Sequence, residues 1–348
     1  MNNKRELQTS FNKKPIQYLK SFLSINTHVG CNLGCVYCVC HAFGLPDFPQ
    51  KVATPKQLMG LLLNNKYFIP NITPIAINNK SDPLLPGVKE STFEVLKFFA
   101  NYNLKNPLVI ISKLSYSPEE LDLIENLSLN IYHFTSYSGL SFPLEKVDSK
   151  IQKENIKLLS KSSIKSIHYW RPIINGLNDN IKVIKKILEF VARRCYASVV
   201  SGIRLPLRVV NNLKKLGINV RYEKYYAIHK KLSDETRKKI AEVSHKKYPN
   251  YPIFFHTSCA LSYFENLPDY NVNYLKNGFH CNPFCKNRHI CISYLPSYKT
   301  IKKVVSQFTN KFRIIKDKKT VVIHRHLSLE DLSYLRYILK MKVVVHSE

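Results

Sequence analysis

Residues 24–38 read Ser-Ile-Asn-Thr-His-Val-Gly-Cys-Asn-Leu-Gly-Cys-Val-Tyr-Cys: a short β-like run that ends at a glycine and opens into three cysteines spaced x3 and then x2. The run Ser24–Val29 predicts a first strand. Outward from it, β-like runs and helical patterns alternate. Further strands are expected at Pro74–Asn78, Leu108–Ser112, Asn130–Thr135, Ser166–Pro172 and Ala197–Ile203, with helices over 54–65, 88–104, 117–127, 147–161, 179–195 and 207–216. In the helix at 179–195, Ile181, Ile184, Ile187, Leu188 and Val191 fall on one face at the 3.6-residue period, and Asn178 or Asp179 is placed to cap it. Six β–α units in succession imply a parallel sheet with right-handed crossovers. The fold class is therefore α/β, read as a partial (β/α)6 TIM-like barrel, with a doubly wound sheet as the alternative.

The pattern changes after residue 220. A basic helix at 233–246 and a β-like Tyr251–His256 lead into a cysteine-, Asn- and Pro-rich stretch, 257–297. The last fifty residues read as a small α+β unit: a helix at 298–309, strands near 312–316 and 320–325, a helix at 328–340 and a final strand Lys342–His346. Leu329, Leu332, Leu335 and Ile338 give its second helix an apolar face. The expected organisation is a barrel over 1–220, a Cys-rich extension over 221–297 and a small C-terminal α+β unit over 298–348.

The chain has 348 residues, 45% of them hydrophobic, which is enough for a substantial core and unlike a disordered chain. No apolar run of roughly 18 residues is present, so no transmembrane helix is expected. The basic N-terminus has no apolar signal core behind it, and the expected compartment is the cytoplasm. In a reducing compartment nine cysteines point away from a disulfide framework and towards metal or catalysis. The formal charge of +29, from 53 Lys and Arg against 24 Asp and Glu, attracts anions such as nucleic acid, nucleotides or phosphorylated small molecules. It is also what drift in an AT-rich genome would leave. The densest basic stretch, 208–247, holds 12 Lys or Arg against 4 acidic residues, and reads equally as solvated helix faces or as a binding groove.

The cysteine triplet carries the chemistry. It lies in the loop after the first strand, at the carboxyl end of a parallel sheet, where such folds build their sites. Three thiolates within eight residues, Cys31, Cys35 and Cys38, suit one corner of a [4Fe–4S] cubane. Gly30 and Gly34 let the backbone turn tightly. Three ligands for four irons leave one iron open, the mark of a catalytic metal centre. Zinc is the alternative, with a second cysteine pair drawn from the C-terminal group. Cys40 reads as a spare thiol or as a competing ligand register. Cys259, Cys281, Cys285 and Cys291 number four, enough to enclose a second cubane; an auxiliary [4Fe–4S] cluster, a zinc site and unrelated thiols all remain open for them. Cys195 reads as a small buried hydrophobe.

Cys-x3-Cys-x2-Cys with Tyr37 before the last cysteine, after the first strand of a six-unit barrel, resembles the radical S-adenosylmethionine superfamily over roughly residues 20–220. More narrowly, Ser81-Asp82-Pro83 after the second strand, Lys113 after the third and Arg171–Asp179 after the fifth resemble its spore-photoproduct-lyase-like branch. The resemblance implies that the open iron chelates S-adenosylmethionine. Reductive cleavage of that molecule then yields a 5′-deoxyadenosyl radical, which abstracts hydrogen from a substrate. It also implies an electron donor such as flavodoxin or ferredoxin. Tyr37 is expected to meet the adenine, or simply to pack beside the cluster. Ser81 and Asp82 are expected to hydrogen-bond the cofactor, or to cap a turn before Pro83. Lys113 is expected to pair with the methionyl carboxylate, or to be a surface lysine, and Ser136 to bond ribose. His133 and His168 lie in strands and read as core residues rather than catalysts. Residues 41–112 contain no cysteine, so no hydrogen-donor cysteine of the photoproduct-repair kind can be placed.

Three functions follow as expectations. The first is a radical enzyme acting on a small anionic, nucleoside-like or peptide substrate. The second applies the same chemistry to nucleic acid. The third is a non-catalytic iron–sulfur or zinc protein that binds nucleic acid.

Overall fold

A computed structural model of the chain describes residues 13–19, 21–276 and 280–346. They fall into two compact units, one built on Leu23–Pro252 and the other on Tyr18–Phe22 with Ile253 onward. The first unit is built on a run of six parallel strands: β1 (Phe22–Ile25), β2 (Ile75–Ile77), β3 (Leu108–Ser112), β4 (Ile131–Ser136), β5 (Lys165–Ile173) and β6 (Ala197–Gly202). Each pairs in parallel with the next, through Leu23 opposite Ile75, Ile75 opposite Leu108, Leu108 opposite Ile131, Tyr132 opposite Lys165 and Ile167 opposite Ala197. Spatial order follows sequence order without reversal. That excludes the doubly wound alternative, whose strand order reverses at a switch point, and matches a partial (β/α)6 barrel. The strands are rich in Ile and Val and are almost wholly buried, as a parallel sheet covered by helices requires.

The connections hold a one-turn helix α1 (Val39–Ala42), then α2 (Pro55–Leu63), α3 (Lys89–Asn101), α4 (Pro118–Asn126), α5 (Ser149–Leu159), α6 (Ile181–Val191) and α7 (Leu207–Lys215). Helices α2 and α4 start with a capping box, Thr54 with Gln57 and Ser117 with Glu120, and with proline in the first turn. Two expectations need correction. The first strand stops at Ile25, because Asn26 and Thr27 turn their polar groups to the next strand; His28–Val29 is a separate strand, antiparallel to Gln50–Lys51. Helix α6 is capped by Asn180, whose side chain accepts from the Val183 amide, and not by Asn178 or Asp179. Asn178 is buried instead, donating to the carbonyls of Ser138 and Pro172. Starting the helix later leaves Ile181 at its exposed first position, 40% accessible, while Ile184, Ile187, Leu188 and Val191 are buried.

His133 and His168 are core residues. Tyr116 Oη lies 2.9 Å from His133 Nδ1, and Asn155 Nδ2 lies 3.1 Å from its Nε2. His168 bridges Ser198 Oγ and the Tyr137 carbonyl, both at 2.8 Å. Burial lowers His133 to about 3 and His168 to about 4. Between those values and the ordinary 6.5 the unfolded chain binds protons that the fold refuses, so stability rises with pH across that window and falls on acidification. Each histidine is expected to cost about 1.4 kcal/mol per pH unit below about pH 6. The urea midpoint should therefore drop steeply towards pH 4.5, and the slope should be shallower in His168→Gln. Identical slopes in the two proteins would refute this.

Residues 221–252 pack with the first unit. The short helix α8 (Lys224–Ile228) and α9 (Asp234–Lys247) are tied to the barrel through Leu205 N to Tyr226 O, Lys231 N to Ile203 O and Thr236 Oγ1 to Asp179 Oδ2. The second unit carries α10 (Thr257–Phe264), α11 (Arg288–Ser293), α12 (Tyr298–Val305) and α13 (Leu329–Leu339), and a three-stranded sheet. In that sheet β7 (Phe312–Ile315) is antiparallel to β8 (Thr320–Ile323), which is parallel to β9 (Lys342–Val345) across α13. Ile301, Val305, Val321, Ile323, Leu335 and Leu339 form its core.

Candidate functional site

The loop leaving β1 is held by the carboxyl end of β2. Asn78 Oδ1 accepts from the Thr27 amide at 2.8 Å and the Thr27 hydroxyl at 3.0 Å, while its Nδ2 donates to Thr92 Oγ1. The Gly30 amide donates to the Lys80 carbonyl and the Cys31 amide to the Pro46 carbonyl. Gly30 has φ +92°, and a Cβ there would stand 2.3 Å from the Phe48 carbonyl oxygen and 2.7 Å from that of Pro46. Only glycine fits both the conformation and the approach. The motif therefore sits on a rigid turn at the carboxyl end of the sheet.

Cys31, Cys35 and Cys38 are each half-buried on this turn. Ionisation of Cys38 raises both of the others, so the three thiols share one electrostatic neighbourhood. Burial is the larger cause, pushing Cys31 up to about 12 and Cys35 higher. Cys38 goes the other way, to about 4, through hydrogen bonds from Cys40 and His41. Cys40 is thus the thiol that stabilises a Cys38 thiolate. Among the described residues no three Cys, His, Asp or Glu side chains are grouped in metal-ligand geometry. The donor set itself fits an iron–sulfur cluster: three soft thiolate ligands on a glycine-bounded loop, one of them held low.

Around the motif stands a polar group assembled from three loops. Lys113 Nζ donates to Tyr37 Oη at 2.8 Å and forms an ion pair with Glu145. The Tyr37 hydroxyl donates to Glu145 as well, and Cys35 Sγ donates to its other oxygen at 3.4 Å. The Glu145 side chain is wholly buried. Sequence reasoning missed Glu145; its only local signal is an acidic residue two positions after Pro143. Burial raises Tyr37 well above 10, which keeps it a proton donor.

Asp82 is the turn residue of the β2–α3 connection. It accepts from Ser112 Oγ at 2.6 Å, the Lys113 amide at 2.9 Å and the Leu84 amide at 3.1 Å, which describes the capped turn. Its carboxyl is raised by burial and lowered by these three bonds. Ser81 beside it differs: its Oγ is buried without a hydrogen-bond partner. An orphaned hydroxyl at the carboxyl end of β2 is a place for a ligand's polar group. Ser136 is buried at the end of β4.

In the second unit Cys259 lies on α10 and Cys291 on α11, with Cys281 and Cys285 in the segment before α11; the four thiols and Asp269 influence one another electrostatically without being grouped in metal-ligand geometry. Burial raises Cys259 most, and Asp269 and the other three thiols raise it further. The Asp269 amide donates to Cys291 Sγ at 3.3 Å, and Asn273 Nδ2 to Cys259 Sγ at 3.8 Å.

No family model matches the sequence, and no curated protein does. Solved structures do resemble the chain. A mutant spore photoproduct lyase with bound AdoMet and dinucleoside spore photoproduct is 11% identical, with 70% of this chain and 79% of that one covered and a TM-score of 0.50. Streptococcus suis SuiB bound to S-adenosylmethionine is 14% identical over 80% of this chain and 60% of that one, with a TM-score of 0.47. The radical S-adenosylmethionine methyltransferase TsrM from Kitasatospora setae is 12% identical over 55% and 38%, with a TM-score of 0.40. The unreversed parallel order of its strands, with the cysteine triplet on the loop leaving the first, belongs to a partial-barrel fold that this chain shares with the spore photoproduct lyase structure.

Proposed function

We propose that the protein is a radical S-adenosylmethionine enzyme of the spore-photoproduct-lyase-like branch, acting in the cytoplasm on a small anionic, nucleoside-like or peptide substrate. The observation that carries the reading is the position of Cys31, Cys35 and Cys38 on a glycine-bounded turn at the carboxyl end of a run of parallel strands. Bound there, a [4Fe–4S] cluster and S-adenosylmethionine would supply the radical chemistry, with the electron from a flavodoxin or ferredoxin. The chain's own contribution is orientation. The orphaned Ser81 Oγ offers a hydrogen bond to the cofactor, Tyr37 packs beneath the motif, and Ser136 ends β4 at the same carboxyl side of the sheet. Asp82 acts by fixing the backbone of Lys113, and Lys113 by holding Tyr37 in place.

An auxiliary [4Fe–4S] cluster on Cys259, Cys281, Cys285 and Cys291 is the second part of the proposal. It is favoured by the mutual influence of the four thiols, and zinc would satisfy the same donors. The test is anaerobic reconstitution, followed by iron and sulfide counts and an assay of 5′-deoxyadenosine with S-adenosylmethionine and dithionite. Production of 5′-deoxyadenosine is expected, with twice the iron that one cluster requires. A loaded, reducible protein that makes none, and whose EPR spectrum ignores S-adenosylmethionine, would leave the non-catalytic metalloprotein as the better description.

A further inference from the structure

We propose that Arg208, on the helix that follows the last strand of the parallel run, is a positioning residue for the metal centre: it grips the far half of the cysteine loop and couples retention of the cluster to the meeting of the barrel's two ends. The proposal rests on the reading of Cys31, Cys35 and Cys38 as ligands of one cluster.

The first and last strands of the run are not neighbours in the sheet, so no ladder of hydrogen bonds joins β1 to β6. The loop after β1 and the helix after β6 meet instead. Val209, Val210 and Leu213 lie on one face of α7 and share an apolar core with Tyr37, against which Cys35, Val36 and Ala42 of the cysteine loop also pack. Beside that face Arg208 and Asn212, one turn apart, reach the backbone of the loop. Arg208 donates from Nη1 to the His41 carbonyl and from Nη2 to Asp47 Oδ1, both at 3.0 Å. Asn212 Nδ2 donates to the Val36 carbonyl at 3.4 Å, the weaker contact of the two residues.

These contacts lead to the ligands. His41 Nε2 lies 2.8 Å from the Cys31 carbonyl oxygen, and its Nδ1 lies 3.3 Å from the Asp47 oxygen that Arg208 holds. A chain of polar contacts therefore runs from Arg208 through Asp47 and His41 to the backbone of the first ligand. Val36, next to the second ligand, is held on both sides: its amide donates to the Leu144 carbonyl at 3.3 Å and its carbonyl takes Asn212. The one-turn helix α1 follows the third ligand directly, and Arg208 takes up a carbonyl near its end. The end of β2 fixes the entry of the loop at Gly30, and α7 fixes its exit.

The grip matters for geometry more than for global stability. The Arg208 and Asp47 side chains are 49% and 65% exposed, so solvent screens their ion pair. A planar fork that spans a carbonyl and a carboxylate still fixes the direction of both, which a single ammonium cannot do. Groups that orient the backbone and side chains around a metal site govern how firmly the metal is kept.

The test uses the full chain, reconstituted without oxygen, and follows loss of the cluster to an added iron chelator. The EPR signal that responds to S-adenosylmethionine marks the cluster with an open iron and separates it from iron on the second cysteine group. Arg208→Gln is expected to lose that signal about tenfold faster than wild type. Its urea midpoint, measured before reconstitution, should stay unchanged. Arg208→Lys should recover only part of the lifetime, and adding Asp47→Asn to Arg208→Gln should shorten it little further, because both act through one contact. Hydrogen exchange gives a readout independent of iron: amides of residues 36–47 and 207–216 should exchange faster together in Arg208→Gln. Equal cluster lifetimes in wild type and Arg208→Gln would overturn the proposal. So would a urea midpoint that falls in step with the lifetime, which would make Arg208 a residue of the fold alone. A wild type that takes up no cluster would instead sink the ligand reading, and the positioning role with it.

Discussion

Replacing Cys31, Cys35 or Cys38 singly by alanine is expected to abolish 5′-deoxyadenosine formation, by more than about a thousandfold, as fully as the triple replacement does. Ligands of one centre act as a unit, so the first loss already removes what the group supplies and further losses add little. The iron bound at the motif should disappear with it, while iron on the second cysteine group stays. Cys40→Ala is the informative partner. Its thiol hydrogen-bonds Cys38 and lowers it to about 4, which is the role of a supporting group and not of a ligand. The Cys40 variant should therefore keep its iron and most of its activity. Retained iron in Cys38→Ala together with lost iron in Cys40→Ala would instead show that the third ligand is Cys40. Iron per chain and product yield, measured on the same samples, separate the two registers.

Glu145→Ala is expected to destabilise the first unit by about 3–5 kcal/mol, the usual cost of leaving one partner of a buried ion pair alone. Glu145 is the point on which the site's polar group converges, since Lys113, Tyr37 and Cys35 all direct donors to its carboxylate. Without it the Lys113 ammonium, only 14% exposed, loses its ion pair and keeps the Tyr37 hydroxyl as a hydrogen-bond partner. The Tyr37 hydroxyl loses its acceptor too. Glu145→Gln keeps an acceptor but not the charge, and should cost less. The combined Lys113→Met, Glu145→Leu variant should recover most of the stability, because removing both charges also removes the desolvation penalty. Urea denaturation of wild type and the three variants checks this order. A Glu145→Ala protein within about 1 kcal/mol of wild type would show that water reaches the pair and screens it.

Much of the fold was legible because its signals are local. Leu108–Ser112 was read as a strand with the observed ends, and the helices expected over 54–65 and 117–127 begin at a capping Thr54 and Ser117. A β-branched run, a capping box and a 3.6-residue period each need only a few neighbours along the chain. Errors arose where a side chain answered to a distant partner. Asn26 and Thr27 read as strand until Asn78 claims them, and Asn178 reads as a cap until it is drawn inward to the Ser138 and Pro172 carbonyls.

The site divides along the same line. The cysteine triplet, its glycines and its position after the first strand are matters of spacing, and the residues alone settle them. What surrounds the triplet is not. Lys113 and Glu145 are separated by 32 positions, Asp82 and Ser112 by 30, and Ile203 meets Lys231 only because the chain folds back over Gly202. In a parallel barrel every strand delivers its carboxyl end to the same rim, so the partners of a rim residue come from other crossovers. A sequence lists those residues without their distances. Desolvation at the rim then makes their pairing matter: a buried charge must find its counterion within a few ångströms, and only the folded sheet fixes which one it finds.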